Sequence, residues 1–156
     1  MSTTPQLEKW AAKNIPFRFY GVFSANTLPS PIEFCDGVPT SLIVNYDLSN
    51  MAGSHWVSVY ATENELSWFD SFGLAPDSDD LLLGHRTYFH RWLEQVCHRL
   101  GLKKYSWNTA DLQSLNETTC GHYSAYFCKN GPKKGWSQFG SNRAANDQLV
   151  RKLVQL

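Results

Sequence analysis

Residues 55–70 read HWVSVYATENELSWFD. Two runs rich in aromatic and β-branched residues, His55 to Ala61 and Leu66 to Asp70, flank the turn-prone pair Glu63-Asn64. Such residues suit a pleated, half-buried surface, and the alternation predicts an antiparallel hairpin. A register that pairs Tyr60 with Glu65 beside the turn pairs His55 with Asp70 at the open end. An imidazole at the start of one strand then faces a carboxylate at the end of the next. Asp70 can accept the ring N–H and fix the tautomer that serves a nucleophile.

Working outward, Ser41 to Tyr46 is a short apolar run with β-branched residues and predicts another strand. Residues 24–40 carry Pro29, Pro31, Gly37 and Pro39 and read as a long loop. Leu7 to Lys13 predicts a short helix ahead of Pro16. Downstream, Asp77, Ser78, Asp79 and Asp80 offer N-caps to a helix running to about Leu100, with Phe89, Leu93, Val96 and Leu100 on one face and Gly101 at its end. Tyr105 to Asn108 and Leu112-Gln113 read as short strand pieces. A helix is expected from Cys120 to Lys129, stopped by Gly131-Pro132. A last one is expected from Arg143 to Leu156, with Ala145, Leu149, Leu153 and Leu156 inward. No repeat or linker divides residues 1–156, which read as a single domain.

The 14 Lys+Arg balance the 14 Asp+Glu, which argues against a nucleic-acid arm, an acidic tail or a polybasic membrane patch. The longest aliphatic runs, Leu42-Ile43-Val44 and Leu81-Leu82-Leu83, are far short of the ~20 residues that span a bilayer. Met1 to Gln6 shows no basic region followed by an apolar one, so secretion is not expected. Cys35, Cys97, Cys120 and Cys128 contain no C-x-x-C pair, and a metal site is not expected. His85, His90 and His98 lack the four-residue spacing of a zinc-binding helix and read as surface residues.

Cys120 differs from the other three cysteines because it opens a helix. The unpaired N–H groups and partial positive charge there favour the thiolate, which is the nucleophilic form. Gly121 follows, and a missing side chain would let a substrate carbonyl approach the backbone. Cys35, Cys97 and Cys128 read as buried small residues. His55 is the candidate base. His122 is two positions past Cys120 on a helix, about 200° around, and points away from the sulfur. Gln113 lies seven residues before Cys120, and its amide can donate to an oxyanion alongside the Cys120 N–H.

The ordered set His55-Trp56, Asp70, Gln113, Cys120-Gly121 resembles the adenovirus maturation proteases (adenain family) and the wider clan of cysteine proteases that includes the SUMO-deconjugating enzymes. Phe19 to Phe23, Leu42 to Asn45, Gly53-Ser54-His55-Trp56 and Phe69 to Gly73 are similar to the matching adenain segments. The resemblance implies a compact α+β fold in which a central, mostly antiparallel sheet carries His55 and Asp70 and packs against the helix headed by Cys120. It implies Cys120 as nucleophile, His55 as general base and acid, Asp70 as its orienter, and Gln113 with the Cys120 N–H as oxyanion hole. Trp56 then packs beneath the histidine or lines the cleft, and Gly53, Ser54 and Gly121 border the substrate.

The implied activity is that of a virus- or mobile-element-encoded cysteine endopeptidase that processes capsid precursor proteins after small residues, in Gly-rich sites. Its partners would be viral structural proteins, in an infected cell's nucleus or cytoplasmic virus factory and in the virion, with no membrane. Adenain is activated by a peptide and by DNA. Here no cysteine just upstream of Gln113 matches the peptide-linking thiol, and Lys103-Lys104, Lys129, Lys133 and Lys134 read as a solvated face. The sequence itself calls for no cofactor; an activating peptide or DNA is implied by the resemblance alone, without support in these residues, and nucleic-acid contact is expected to be weak. Asp70 stands where adenain has Glu, as in the SUMO branch, which keeps a deconjugase of a ubiquitin-like modifier as the alternative. An acetyltransferase effector and an inactive binding domain are the remaining rivals.

Overall fold

The computed structural model describes residues 1–50, 55–76 and 89–156. Gly53, Ser54, His85 and the expected N-caps at 77–80 lie outside the described residues. The chain runs α1 (Thr4–Asn14), β1 (Arg18–Ser24), α2 (Pro31–Cys35), β2 (Thr40–Asn45), β3 (Trp56–Ala61), β4 (Leu66–Phe69), α3 (Phe89–Leu100), β5 (Ser106–Trp107), α4 (Cys120–Trp136) and α5 (Arg143–Leu153). The five strands form one sheet in sequence order. Its central pairs, β2–β3 and β3–β4, are antiparallel, while the outer pairs, β1–β2 and β4–β5, are parallel. The sheet is mixed rather than mostly antiparallel, because α2 lies between β1 and β2 and α3 between β4 and β5, and a parallel pair needs such a crossover.

Both faces of the sheet are covered. Ile43, Trp56 and Phe69 pack with Tyr123 and Phe127 of α4 and Leu7 and Trp10 of α1. On the other face Leu42, Val44, Val57, Val59, Leu66 and Trp68 meet Phe34 of α2 and Phe89, Trp92, Leu93 and Val96 of α3. This double burial explains why β2 reads as a near-continuous apolar run. α1 starts on a capping box, with the Thr3 side chain accepting from the Gln6 N–H and the Gln6 side chain accepting from the Thr3 N–H.

Two expectations are corrected. Residues 24–40 are not one loop: they hold the end of β1, the helix α2 and the start of β2. α2 forms because the Ser30 side chain accepts from the Glu33 N–H and Pro31 sits at the first helical position, where a missing N–H costs nothing. Leu112-Gln113 is not a strand. The expected stop at Gly131-Pro132 is present: Gly131 takes φ 69° and ψ −177°, outside the helical region, and a second helical stretch follows the kink to Trp136.

Candidate active site

The hairpin sets the site, with a register two residues from the expected one. Tyr60 pairs with Ser67 and Ala61 with Leu66. The connection widens because the Thr62 hydroxyl accepts the N–H groups of Asn64 (3.1 Å) and Glu65 (3.2 Å), a local turn that competes with the tighter pairing. A two-residue slip leaves every side chain on its own face. It places His55 beside Phe72, with the rings stacked 5.0 Å apart, while Tyr46 covers the imidazole at 5.2 Å from another side. His55 Nε2 still reaches Asp70 Oδ1 at 2.7 Å.

Asp70 is fully buried. A carboxylate there is costly unless its oxygens are satisfied. Oδ1 also accepts the Phe72 N–H at 2.9 Å, and Oδ2 accepts the Tyr46 hydroxyl at 3.0 Å. Asn108 holds the backbone: its Oδ1 accepts the Asp70 N–H at 3.0 Å and its Nδ2 donates to the Asp70 carbonyl at 2.5 Å. The acid is thus fixed from the residue after β2, from its own turn and from the residue after β5.

Cys120 begins α4 and is 3% exposed. The Trp56 N–H donates to its sulfur at 3.5 Å, and the Gly121 N–H also favours its anion. The His55 ring and the Cys120 sulfur each shift the other's ionisation, and with Nε2 committed to Asp70, Nδ1 is the ring nitrogen left to face the sulfur. Burial pulls the His55 pKa down, but the bonds to Asp70 and Cys120 outweigh it and lift the group to about 9. Burial pushes the Cys120 thiol up, yet the bond and charge of His55 and the two N–H groups bring it below its ordinary value. The other thiols go the opposite way: burial raises Cys35 and Cys97, and pushes Cys128 up to about 12. The direction of its shift sets Cys120 apart from the other three cysteines.

Gln113 is 1% exposed, and its Nε2 donates to the Glu117 carbonyl at 2.7 Å. It stands at one end of a loop whose other end is Cys120. Asp147 of α5 closes that loop, accepting from the Ser114 N–H (3.2 Å), the Thr119 hydroxyl (3.0 Å) and the Tyr123 hydroxyl (2.7 Å). Asp147 escaped the sequence reading because the inward face of α5 was placed on Ala145, Leu149, Leu153 and Leu156. The buried residues are instead Asn146, Asp147 and Val150, with Val154 beyond the helix end, while Leu153 is exposed. Polar partners decide this face: Asn146 Nδ2 donates to the Gly140 carbonyl at 2.9 Å, beside the Asp147 contacts. The four-residue step from Val150 to Val154, with Asp147 one turn earlier, is the signal that could have found it.

The remaining candidates divide. Trp56 is 6% exposed and its Nε1 donates to the Ser2 carbonyl at 2.9 Å, so it packs in the core rather than lining a cleft. Gly121 lacks a side chain for a different reason from the one expected. A Cβ there would lie 2.7 Å from Ser2 Oγ and 2.8 Å from Ser2 Cβ, so its open side is filled by Ser2 and not left for substrate. Burial, Arg151 and the chain's amino group lower the His122 pKa. His90 pairs with Glu94 at 3.0 Å. Among the described residues no cluster of His, Cys, Asp and Glu could hold a metal ion, and no helix is long and apolar enough to cross a membrane.

A buried carboxylate, an imidazole lifted toward its charged form and a thiol lowered toward its anion can together attack an electrophilic carbon and return a proton to a leaving group. α4 adds free N–H groups at its start, because the Thr119 side chain makes no capping bond. No family model matches the chain, and no curated protein does. Among solved structures it is similar to the crystal structure of the ASFV pS273R protease, with a TM-score of 0.40 and 21% identity. The likeness covers 74% of this chain and 38% of that one, so the chain spans well under half the length of that protease.

Proposed function

We propose that the chain is a cysteine endopeptidase that cleaves viral structural precursors after small residues. One observation carries the reading: His55 joins Asp70 at 2.7 Å, and its imidazole is among the causes that lower the thiol of Cys120, the only cysteine so lowered among the described residues. Cys120 attacks the scissile carbonyl and expels the amine, which takes a proton from His55. Water then attacks the acyl-enzyme with His55 as base and releases the acid. Gln113 and the Cys120 N–H stabilise the oxyanion. The site of action would be the infected cell and the virion. The test is incubation of wild-type protein and Cys120→Ala with the capsid proteins encoded beside it. Cleavage by the wild type alone is expected; uncut protein in both would end the proposal.

Asp70 as the acid favours a second reading, a deconjugase of a ubiquitin-like modifier. A fluorogenic substrate built on a modifier C-terminus separates the two. Turnover of that substrate without cleavage of capsid proteins would favour the deconjugase.

A further inference from the structure

Ser71 follows the acid and is completely buried, yet it makes no contact with His55 that the mechanism needs. Its backbone carbonyl accepts the N–H groups of Leu112 (2.8 Å) and Gln113 (3.2 Å). Its hydroxyl lies 2.5 Å from Gln113 Oε1. The chemistry of these contacts orients the amide. The Glu117 carbonyl can only accept, so the end of Gln113 that meets it at 2.7 Å must be Nε2. Oε1 therefore faces Ser71, and the hydroxyl must donate. One Nε2 hydrogen is spent on Glu117, and the second remains for another acceptor.

We infer that Ser71 is a positioning residue that locks the Gln113 amide with its nitrogen, not its oxygen, available to the oxyanion. This rests on the protease reading above. A primary amide flipped by 180° would present an oxygen to a developing negative charge, turning stabilisation into repulsion. The Ser71 hydroxyl opposes that flip by holding Oε1, and its carbonyl holds the Gln113 backbone. The same dipeptide therefore serves both halves of the site: Asp70 orients the base and Ser71 orients the oxyanion donor.

The test compares wild type, Ser71→Ala, Gln113→Ala and the double variant on acetyl-Leu-Gly-Gly-aminocoumarin. Ser71→Ala is expected to lower kcat ~10-fold with KM little changed, a fraction of the 10²–10³ that loss of a whole oxyanion donor costs. Iodoacetamide should alkylate Cys120 at the wild-type rate in Ser71→Ala, because that reaction needs the thiolate and no oxyanion donor. In the Gln113→Ala background Ser71→Ala should cost nothing further, since its effect runs through the amide. An equal loss in both backgrounds, or alkylation that falls with kcat, would overturn the inference. The orientation has a readout independent of turnover, the NMR signals of the Gln113 side-chain amide in ¹⁵N-labelled protein. These should shift and exchange faster in Ser71→Ala; unchanged signals would overturn the clamp. A wild type that turns over no peptide, with the amide signals moving as expected, would sink the protease reading and leave the clamp standing.

Discussion

Thr119 turns its hydroxyl away from the helix it precedes and donates it to Asp147 at 3.0 Å. A threonine at this position ordinarily accepts from an N–H in the first turn. Here that cap is absent, so the N–H groups beside Cys120 stay available to a sulfur anion and an oxyanion. Asp147, 28 residues further along the chain in α5, thus keeps the start of α4 uncapped without touching Cys120.

Replacing Asp147 by Ala strands the buried Thr119 hydroxyl and the Ser114 N–H and leaves the Tyr123 hydroxyl only the Leu112 carbonyl at 3.2 Å. The expected loss is about 3 kcal/mol, since each bond to a charged acceptor contributes roughly 1.5–3 and the contributions overlap. Urea unfolding of Asp147→Ala measures it. A midpoint equal to that of the wild type would show that the loop is held by other contacts.

The pKa directions at the site predict a bell-shaped pH profile for kcat/KM. The acid limb follows formation of the ion pair. The basic limb follows loss of the imidazolium near pH 9, the value at which His55 gives up its proton. Both limbs belong to the coupled pair. Asp70→Asn removes the larger of the two partners that lift His55 against burial, so the basic limb should move to lower pH. A limb that stays in place in Asp70→Asn would refute that account of the imidazole.

Thiol reactivity should run against exposure. Cys35 is half-buried and Cys120 is almost fully buried, yet Cys120 alone has its thiol lowered among the four. Iodoacetamide at neutral pH followed by peptide mapping should find Cys120 modified first. Prior labelling of Cys35 would mean that the thiolate is not present at rest.

Gly121→Ala should destabilise the fold by about 1–3 kcal/mol, because the new methyl group overlaps Ser2 in a closed space. Ser2→Gly in the same chain removes both crowding atoms and should restore most of the loss in a thermal melt. No recovery in the double variant would mean that the nearby Trp56 ring, 3.2 Å from the added carbon, sets the cost.

The sequence by itself determined β2, β3, β4 and the helices α1, α4 and α5 in outline, together with the chemical inventory, but not β1 or α2. Alternating aromatic and β-branched residues specify β3 and β4 locally, and the order of His55, Asp70, Gln113 and Cys120 along them is covalent. The small-residue start and apolar content of α4 are likewise local. Tertiary structure decided what depends on partners far along the chain. The hairpin register moved by two because a single hydroxyl on Thr62 captured two N–H groups, a choice worth less than the uncertainty of any propensity. The inward face of α5 went to Asn146 and Asp147 because buried donors from residues 114, 119 and 123 required an acceptor more than Leu153 required burial. The space beside Gly121 went to Ser2, more than a hundred residues upstream. Periodicity reports which residues avoid water; it carries no information about which polar groups will meet once water is gone, and that pairing settles how the site is held.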